Sequence, residues 1–451
     1  MTLQVDQELS KHVSIKTPLP GPKAKEIIEK EKKYVATGTK CWETPAVPAR
    51  GQGVWFQDVD GNVLMDWTNG MVDLLGHSHP KWVQEVSEQL QKYVYFNAPD
   101  FPSPLQADIA ETLCRLAPGD FPKKVFFSST GTEAVEAAYK VARIGTKRNM
   151  IMSFLGDFHG RTTGSLATTT SKSVQRQHYT PYLTNTYALP FAYCYRCWYT
   201  LEYPSCDLHC AHVIKRYLKT VLPPEDVAAF VFEPVQGEGG YVVPPVEFFQ
   251  ILSDIAKSHG ILLIADEVQT CFGKSGYWFA SEHFGIVPHI VAMAKGLANG
   301  APMGATTLPA ELDFPKQGIH SNTFGGQAIS CAASLATVKI IKEEKLLDEV
   351  KSKGKYFKDK LMELKDKFSC IGDVRTLGFL MGVEFVKDRK TKEPAKELRN
   401  RIVEECYQSG LLILSCGESG IRITPPFVIT RDEIDLGVGI IQKGMEKALR
   451  Q

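Results

Sequence analysis

Three side chains able to do chemistry stand at the ends of three short apolar runs. Val227–Phe232 (VAAFVF) is followed by Glu233, the run 261–265 by Asp266, and the run 290–294 by Lys295. An amine in apolar surroundings loses its proton readily and attacks carbonyl carbon, which is the basis of Schiff-base chemistry. A single Asp or Lys after a strand is usually just a solvated strand end. Three in succession, with Glu-Val-Gln after the Asp and Gly-Leu after the Lys, are not explained that way. The elements that must position them are the runs themselves. Each is aliphatic, too short for an ordinary helix and close to a Gly or Pro, so each reads as a strand buried on both faces of a parallel sheet. Open α/β sheets bind ligands at the carboxyl ends of their strands, so one crevice would receive two carboxylates and an amine.

Two further loops point to the same edge. Val125–Ser128 reads as a strand, Ser129-Thr130-Gly131-Thr132-Glu133 as a small-residue turn, and the Ala-rich stretch 134–145 as a helix. Free amides and the helix dipole make such a turn an anion site, although Ser-Thr-Gly is also a good N-cap. The run 150–154 leads to Asp157-Phe158-His159-Gly160-Arg161-Thr162. An aromatic ring there can stack on a flat ligand or serve as a core residue beside a turn.

The segments IADEVQTCFGKSG, AKGLANGAPMGA, FEPVQGEGGYVVP and HSNTFGG together resemble the class III pyridoxal-phosphate aminotransferases, the group of 4-aminobutyrate and ornithine aminotransferases. The resemblance runs from about residue 20 to the C-terminus, with its motifs in the family's order. It implies fold-type I: an α/β large domain with a mainly parallel sheet and a smaller α+β domain. The expected division is 1–75 and 331–451 for the small domain and 76–330 for the large one. It also implies pyridoxal 5'-phosphate, held covalently by Lys295, with Asp266 keeping the pyridine nitrogen protonated so that the ring acts as an electron sink. Thr130, Gly131 and Thr132 would hold the phosphate, Phe158 and Val268 would flank the ring, Gln269 would bond its phenolic oxygen, and Glu233 would line the site. The family's phosphate loop usually begins Asn-Ser-Gly, where this chain has Ser129-Thr130-Gly131. Thr323 would reach the phosphate of a partner subunit, which implies a homodimer, or a dimer of dimers, with shared active sites.

Glu238 and Arg422 are assigned by the same resemblance to a substrate gate. Arg422 would hold the α-carboxylate of 2-oxoglutarate, and Glu238 would neutralise it when an ω-amino donor enters. The implied reaction moves an amino group from 4-aminobutyrate, ornithine or a similar donor to a 2-oxo acid. The alternative is a racemase, epimerase or aminomutase using the same Lys295 and Asp266. The loop 68–80 is expected to help select the donor. His77 and His79 within it read as part of a turn rather than as metal ligands.

Residues 192–212, AYCYRCWYTLEYPSCDLHCAH, set this chain apart from most class III members, though some of archaeal type resemble it here. Cys194, Cys197, Cys206 and Cys210 have the spacing C-x2-C-x8-C-x3-C. A tetrahedral zinc, two disulfides across a helical hairpin and four free thiols are all open readings. None of them takes part in the proposed chemistry.

Composition excludes other classes. The 451 residues are 43% hydrophobic and 23% charged, with a net charge of +1. There is no electrostatic case for nucleic acid or an anionic membrane. No run approaches the roughly 20 apolar residues of a membrane span. The first residues resemble no signal peptide, so a cytoplasmic protein is expected, with 1–20 as a partly ordered arm. Helices are expected at 23–34, 81–93, 328–344, 345–367, 395–409 and 431–450, a hairpin around 54–67, and strand–turn–strand over 374–385.

Overall fold

A computed structural model describes residues 9–179 and 185–450. Residues 1–8 of the expected arm lie outside the described residues. From Leu9 onward the arm is docked. Leu9 and Leu19 are buried, and Ser14 pairs with Val63 across two backbone hydrogen bonds of 3.0 and 2.8 Å.

The chain divides into two compact units, 81–351 with 375–380, and 1–80 with 352–374 and 381–451. Residues 331–351 thus stay with the first unit, although the small domain was expected from 331 onward. The helix Ala328–Glu343 is mostly buried there, and Trp82 Nε1 donates to the Ala333 carbonyl at 3.2 Å.

The first unit is built on a seven-stranded sheet. In spatial order its strands are Lys123–Ser128, Gly304–Pro309, Ile290–Met293, Leu262–Asp266, Val227–Phe232, Met150–Phe154 and Thr186–Leu189. Five neighbouring strands, from Ile290–Met293 to Thr186–Leu189, are mutually parallel. Gly304–Pro309 runs antiparallel to both its neighbours. The sheet is therefore mainly parallel, as the apolar runs require: Val227–Phe232 is buried at every position, which only a strand covered on both faces allows.

The helix Gly131–Thr146 covers one face. Ala134, Val135, Ala138, Val141 and Ala142 pack on Ile151, Ala229, Val231, Ile264 and Ile290 in one core cluster. Its alanines let the helix lie close to the sheet, and Thr130 caps it by accepting a hydrogen bond from the Glu133 amide at 3.3 Å. At the other end, Arg148 donates to the carbonyls of Pro224, Val227, His259 and Gly260.

The second unit carries the hairpin Trp55–Asp58 and Val63–Asp66, extended by Pro48–Gln52 and Leu411–Leu412 into a four-stranded sheet. It also holds the helices Pro22–Tyr34, Lys396–Gln408 and Arg431–Ala448, the last closed by a capping box between Thr430 and Glu433. Gly437 lies against the Trp67 ring, where a Cβ would sit 2.0 Å from the indole. Among the described residues, no helix is long and apolar enough to cross a membrane.

Candidate active site

The strand order brings the three strand-end residues side by side. The parallel strands ending at Phe232, Asp266 and Met293 are consecutive neighbours, with Phe232 opposite Ala265 and Asp266 opposite Ala292. Asp266 closes its strand and is buried. Lys295 opens a short 3-10 turn, Lys295–Ala298, with φ of 50°. That left-handed backbone is costly for a residue with a Cβ, and strain of this kind concentrates at functional sites.

Around Asp266 the structure assembles a charge relay that the sequence reading did not identify. His159 Nδ1 lies 2.7 Å from Asp266 Oδ2, and His159 Nε2 lies 3.2 Å from Asp157 Oδ2. All three side chains are almost wholly buried. Burial works against charge on His159, but hydrogen bonds to both carboxylates and their charges outweigh it, raising its pKa to about 10. The ring is therefore an imidazolium at neutral pH, clamped between two carboxylates. Val268 donates its amide to Asp266 Oδ1 at 3.0 Å. Asp157 is anchored in turn by Gln236 Nε2 at 2.8 Å and by the Phe154 amide at 3.2 Å. Burial pushes its carboxyl upward, against the pull of His159.

Glu233, at its strand end, is also a brace for the backbone around the site. Its carboxylate accepts from the Phe158 amide at 2.7 Å and from the Gly237 amide at 3.0 Å. It ties the Phe158 loop to the Gly237 turn. Burial, then repulsion from Asp157 and Asp266, raises its pKa well above the carboxylate range. A Cβ on Gly237 would sit 1.4 Å from Gln269 Oε1, so any larger residue there would push the Gln269 amide aside.

Phe158 is half-buried, with the Arg161 guanidinium 5.8 Å over its ring. The small-residue turn closes on the same edge. A Cβ on Gly131 would lie 2.8 Å from Val268 Cγ1 and 3.4 Å from Ala294 Cβ, so only glycine lets the helix start approach so closely. At the first turn of a helix the amides of Gly131 and Thr132 have no intrahelical acceptor. Thr132 Oγ1 bonds Thr162 and Ser165, each at 2.7 Å.

Glu238 is half-buried and paired with Lys172 at 3.0 Å, a partner that the sequence reading did not name. Arg422 belongs to the other unit, on the strand Gly420–Ile423, opposite Gly382 and Leu414. In that unit His77 sits 3.2 Å from Asp66 and 3.7 Å from Asp73, and so works as a clasp within its loop. Thr323 is exposed, and its carbonyl accepts from Tyr95 Oη at 3.1 Å.

The cysteine insert is not a helical hairpin. Cys194 lies in a short 3-10 turn, Cys206 in a turned loop and Cys210 in the helix His209–Thr220. All four cysteines are free thiols, and no group of metal-ligating side chains is arranged to hold an ion among the described residues. Burial and the neighbouring Cys206 and Cys197 push the Cys194 thiol up to about 11, so the insert brings its cysteines near one another.

The donor set suits pyridoxal phosphate. There is a buried carboxylate held rigid by an imidazolium, an amine on the adjoining strand end, a half-buried aromatic ring, and a glycine-opened helix start for the phosphate. Comparisons with known proteins agree. Residues 38–445 match the family described as aminotransferase class-III. The chain is 36% identical over 439 residues to an alanine/serine racemase of Pyrococcus horikoshii, covering 95% of this chain and 92% of that protein. It is 36% identical to a probable 4-aminobutyrate aminotransferase of Bacillus subtilis, covering 92% and 96%. Among solved structures it is similar to a thermostable (S)-enantioselective omega-transaminase from Thermomicrobium roseum, with a TM-score of 0.88, 28% identity, and coverage of 94% of this chain and 99% of that one.

Proposed function

The chain belongs to the class-III aminotransferases, enzymes of pyridoxal phosphate, and from that premise we propose that it transfers the ω-amino group of 4-aminobutyrate, ornithine or a similar donor to 2-oxoglutarate or a related 2-oxo acid. The observation that carries this reading is the adjacency of Asp266, locked by His159, to the strand end that bears Lys295.

The cofactor supplies an electron sink for the charge left when the donor carbon loses its proton. The protein's part falls to named side chains. Lys295 would hold the cofactor, and its amine, when free, would take the proton from the donor carbon and return it elsewhere. Asp266 keeps the proton on the ring nitrogen. Val268 and Phe158 would confine the ring, Gln269 would bond its phenolic oxygen, and Glu233, at the cofactor's edge, braces the Phe158 loop. Thr130, Gly131 and Thr132 take the phosphate. Glu238 and Arg422 discriminate substrates by charge, with Lys172 as a second cation for Glu238.

The enzyme is proposed to work as a homodimer in which Thr323 acts in the site of the other copy. An exposed aromatic surface supports this. The Tyr95 and Phe324 ring centroids lie 5.8 Å apart beside Thr323, those of Phe96 and Phe101 lie 5.0 Å apart, and all four rings are exposed. Sedimentation should show a mass at least twice that of one chain. The proposed location is the cytoplasm, which cell fractionation tests.

A second reading is favoured by one finding, the similarity to an alanine/serine racemase over nearly the whole chain. Both chemistries need Lys295 and Asp266; they differ in which carbon receives the proton back. Incubation with one enantiomer and no oxo acid separates them. Aminotransfer stops after one equivalent, with the amino group retained on the cofactor. Continuing racemization without net consumption refutes the proposed function in favour of the isomerase.

A further inference from the structure

Gly273-Lys274-Ser275-Gly276, which begins seven residues after Asp266, has the composition of an exposed turn, yet most of it is interior. Lys274 is 1% exposed. Its ammonium donates to the Cys271 carbonyl at 3.4 Å, and no carboxylate stands within ion-pair distance of it among the described residues. The nearby buried carboxylate, Glu267, is committed elsewhere. It accepts from the Ala280 amide at 3.0 Å, the Ser281 amide at 2.8 Å, Ser281 Oγ at 2.6 Å and Thr270 Oγ1. The Cys271 thiol donates to the Ala294 carbonyl at 3.7 Å, one residue before Lys295. Two contacts therefore link an unneutralised buried cation to the backbone that carries Lys295.

We propose that Lys274 is a positioning residue for Lys295, a buried ammonium whose charge makes the half-buried Lys295 give up its proton more easily. Like charges in a low-dielectric interior disfavour each other's charged form. The groups facing Lys274 are Cys271, Glu267 and Lys295. Burial first, then Lys295, holds the pKa of Lys274 down to about 8, while Cys271 and Glu267 oppose that shift. The inference rests on the reading of Lys295 as the covalent holder of the cofactor.

The test is a pH titration of the visible band of the holoenzyme, which reports the proton on the bond between Lys295 and the cofactor. In Lys274→Met the midpoint should rise by about one pH unit, a tenfold gain in proton affinity. In Lys274→Arg, which keeps the charge, it should stay at or below the wild-type value. A Lys274→Met midpoint equal to wild type overturns the inference. If Lys274→Met does not fold, the reciprocal effect decides. A buried lysine with a depressed pKa costs stability below that pKa, and the stability returns as pH rises toward the ordinary lysine value. A charge at position 295 that does not itself titrate isolates this effect. Lys295→Arg keeps that charge and Lys295→Met removes it, so Lys295→Arg should gain more stability between pH 8 and 10; equal gains overturn the inference. Failure of the parent reading looks different: the visible band would then survive in Lys295→Ala.

Discussion

Replacing His159 with Gln removes the cation between two buried carboxylates and leaves Asp157 and Asp266 to repel each other. The wild-type ring is raised from 6.5 to about 10. At about 1.4 kcal/mol per pH unit, that is worth roughly 5 kcal/mol. Breaking a buried ion pair costs roughly 3–5 kcal/mol, the same size. The sign follows from linkage. A group whose folded pKa lies above its unfolded value stabilises fully below the unfolded value and loses that effect as pH rises through the folded one. Wild type should therefore exceed His159→Gln in stability by nearly the full amount near pH 6, and the gap should close by about pH 10. Urea unfolding of both holoenzymes at each pH from 6 to 10 measures it. Taking the difference cancels Lys274, whose contribution has the opposite slope in both proteins. A gap that does not change with pH would refute the imidazolium assignment.

Asp266→Asn should keep the cofactor's visible band but lose about 10²–10³-fold in turnover, because a neutral amide does not hold a proton on the ring nitrogen; wild-type rates would show that another group does so. Glu238→Ala should change stability by no more than about 1 kcal/mol, since its pair with Lys172 is partly exposed. It should nonetheless favour α-amino over ω-amino donors in single-turnover half-reactions, and equal slowing of both halves would refute the gate. The Cys194, Cys197, Cys206 and Cys210 thiols should titrate as four free groups, with buried Cys210, pushed up to about 12 by burial, reacting last. One equivalent of bound zinc would favour the metal site instead, and two missing thiol pairs the disulfides.

Sequence alone located the strand ends, because a strand buried on both faces must be apolar throughout and a ligand edge must break that pattern. Val227–Phe232, Asp266 and Lys295 are legible for this reason. The antiparallel strand Gly304–Pro309 is not. Its Thr306 and Thr307 interrupt the apolar pattern, and Thr306 is tolerated inside only because its hydroxyl donates to the Ala134 carbonyl at 2.8 Å. By sequence His159 reads only as part of a turn. Its partner Asp266 is 107 residues away, and they meet because the strands Met150–Phe154 and Leu262–Asp266 flank the same neighbour, Val227–Phe232. By position Glu233 reads as a ligand; only the fold shows that its carboxylate also accepts from the Phe158 and Gly237 amides. Lys274 is the clearest case. Gly-Lys-Ser-Gly has the local chemistry of a solvated turn. Only the packing of the loop against Phe379, whose amide donates to the Lys274 carbonyl at 2.7 Å, takes its charge out of water. Local pattern determines which residues must be buried or turned; which distant charges then meet depends on strand order, and that is a property of the tertiary structure.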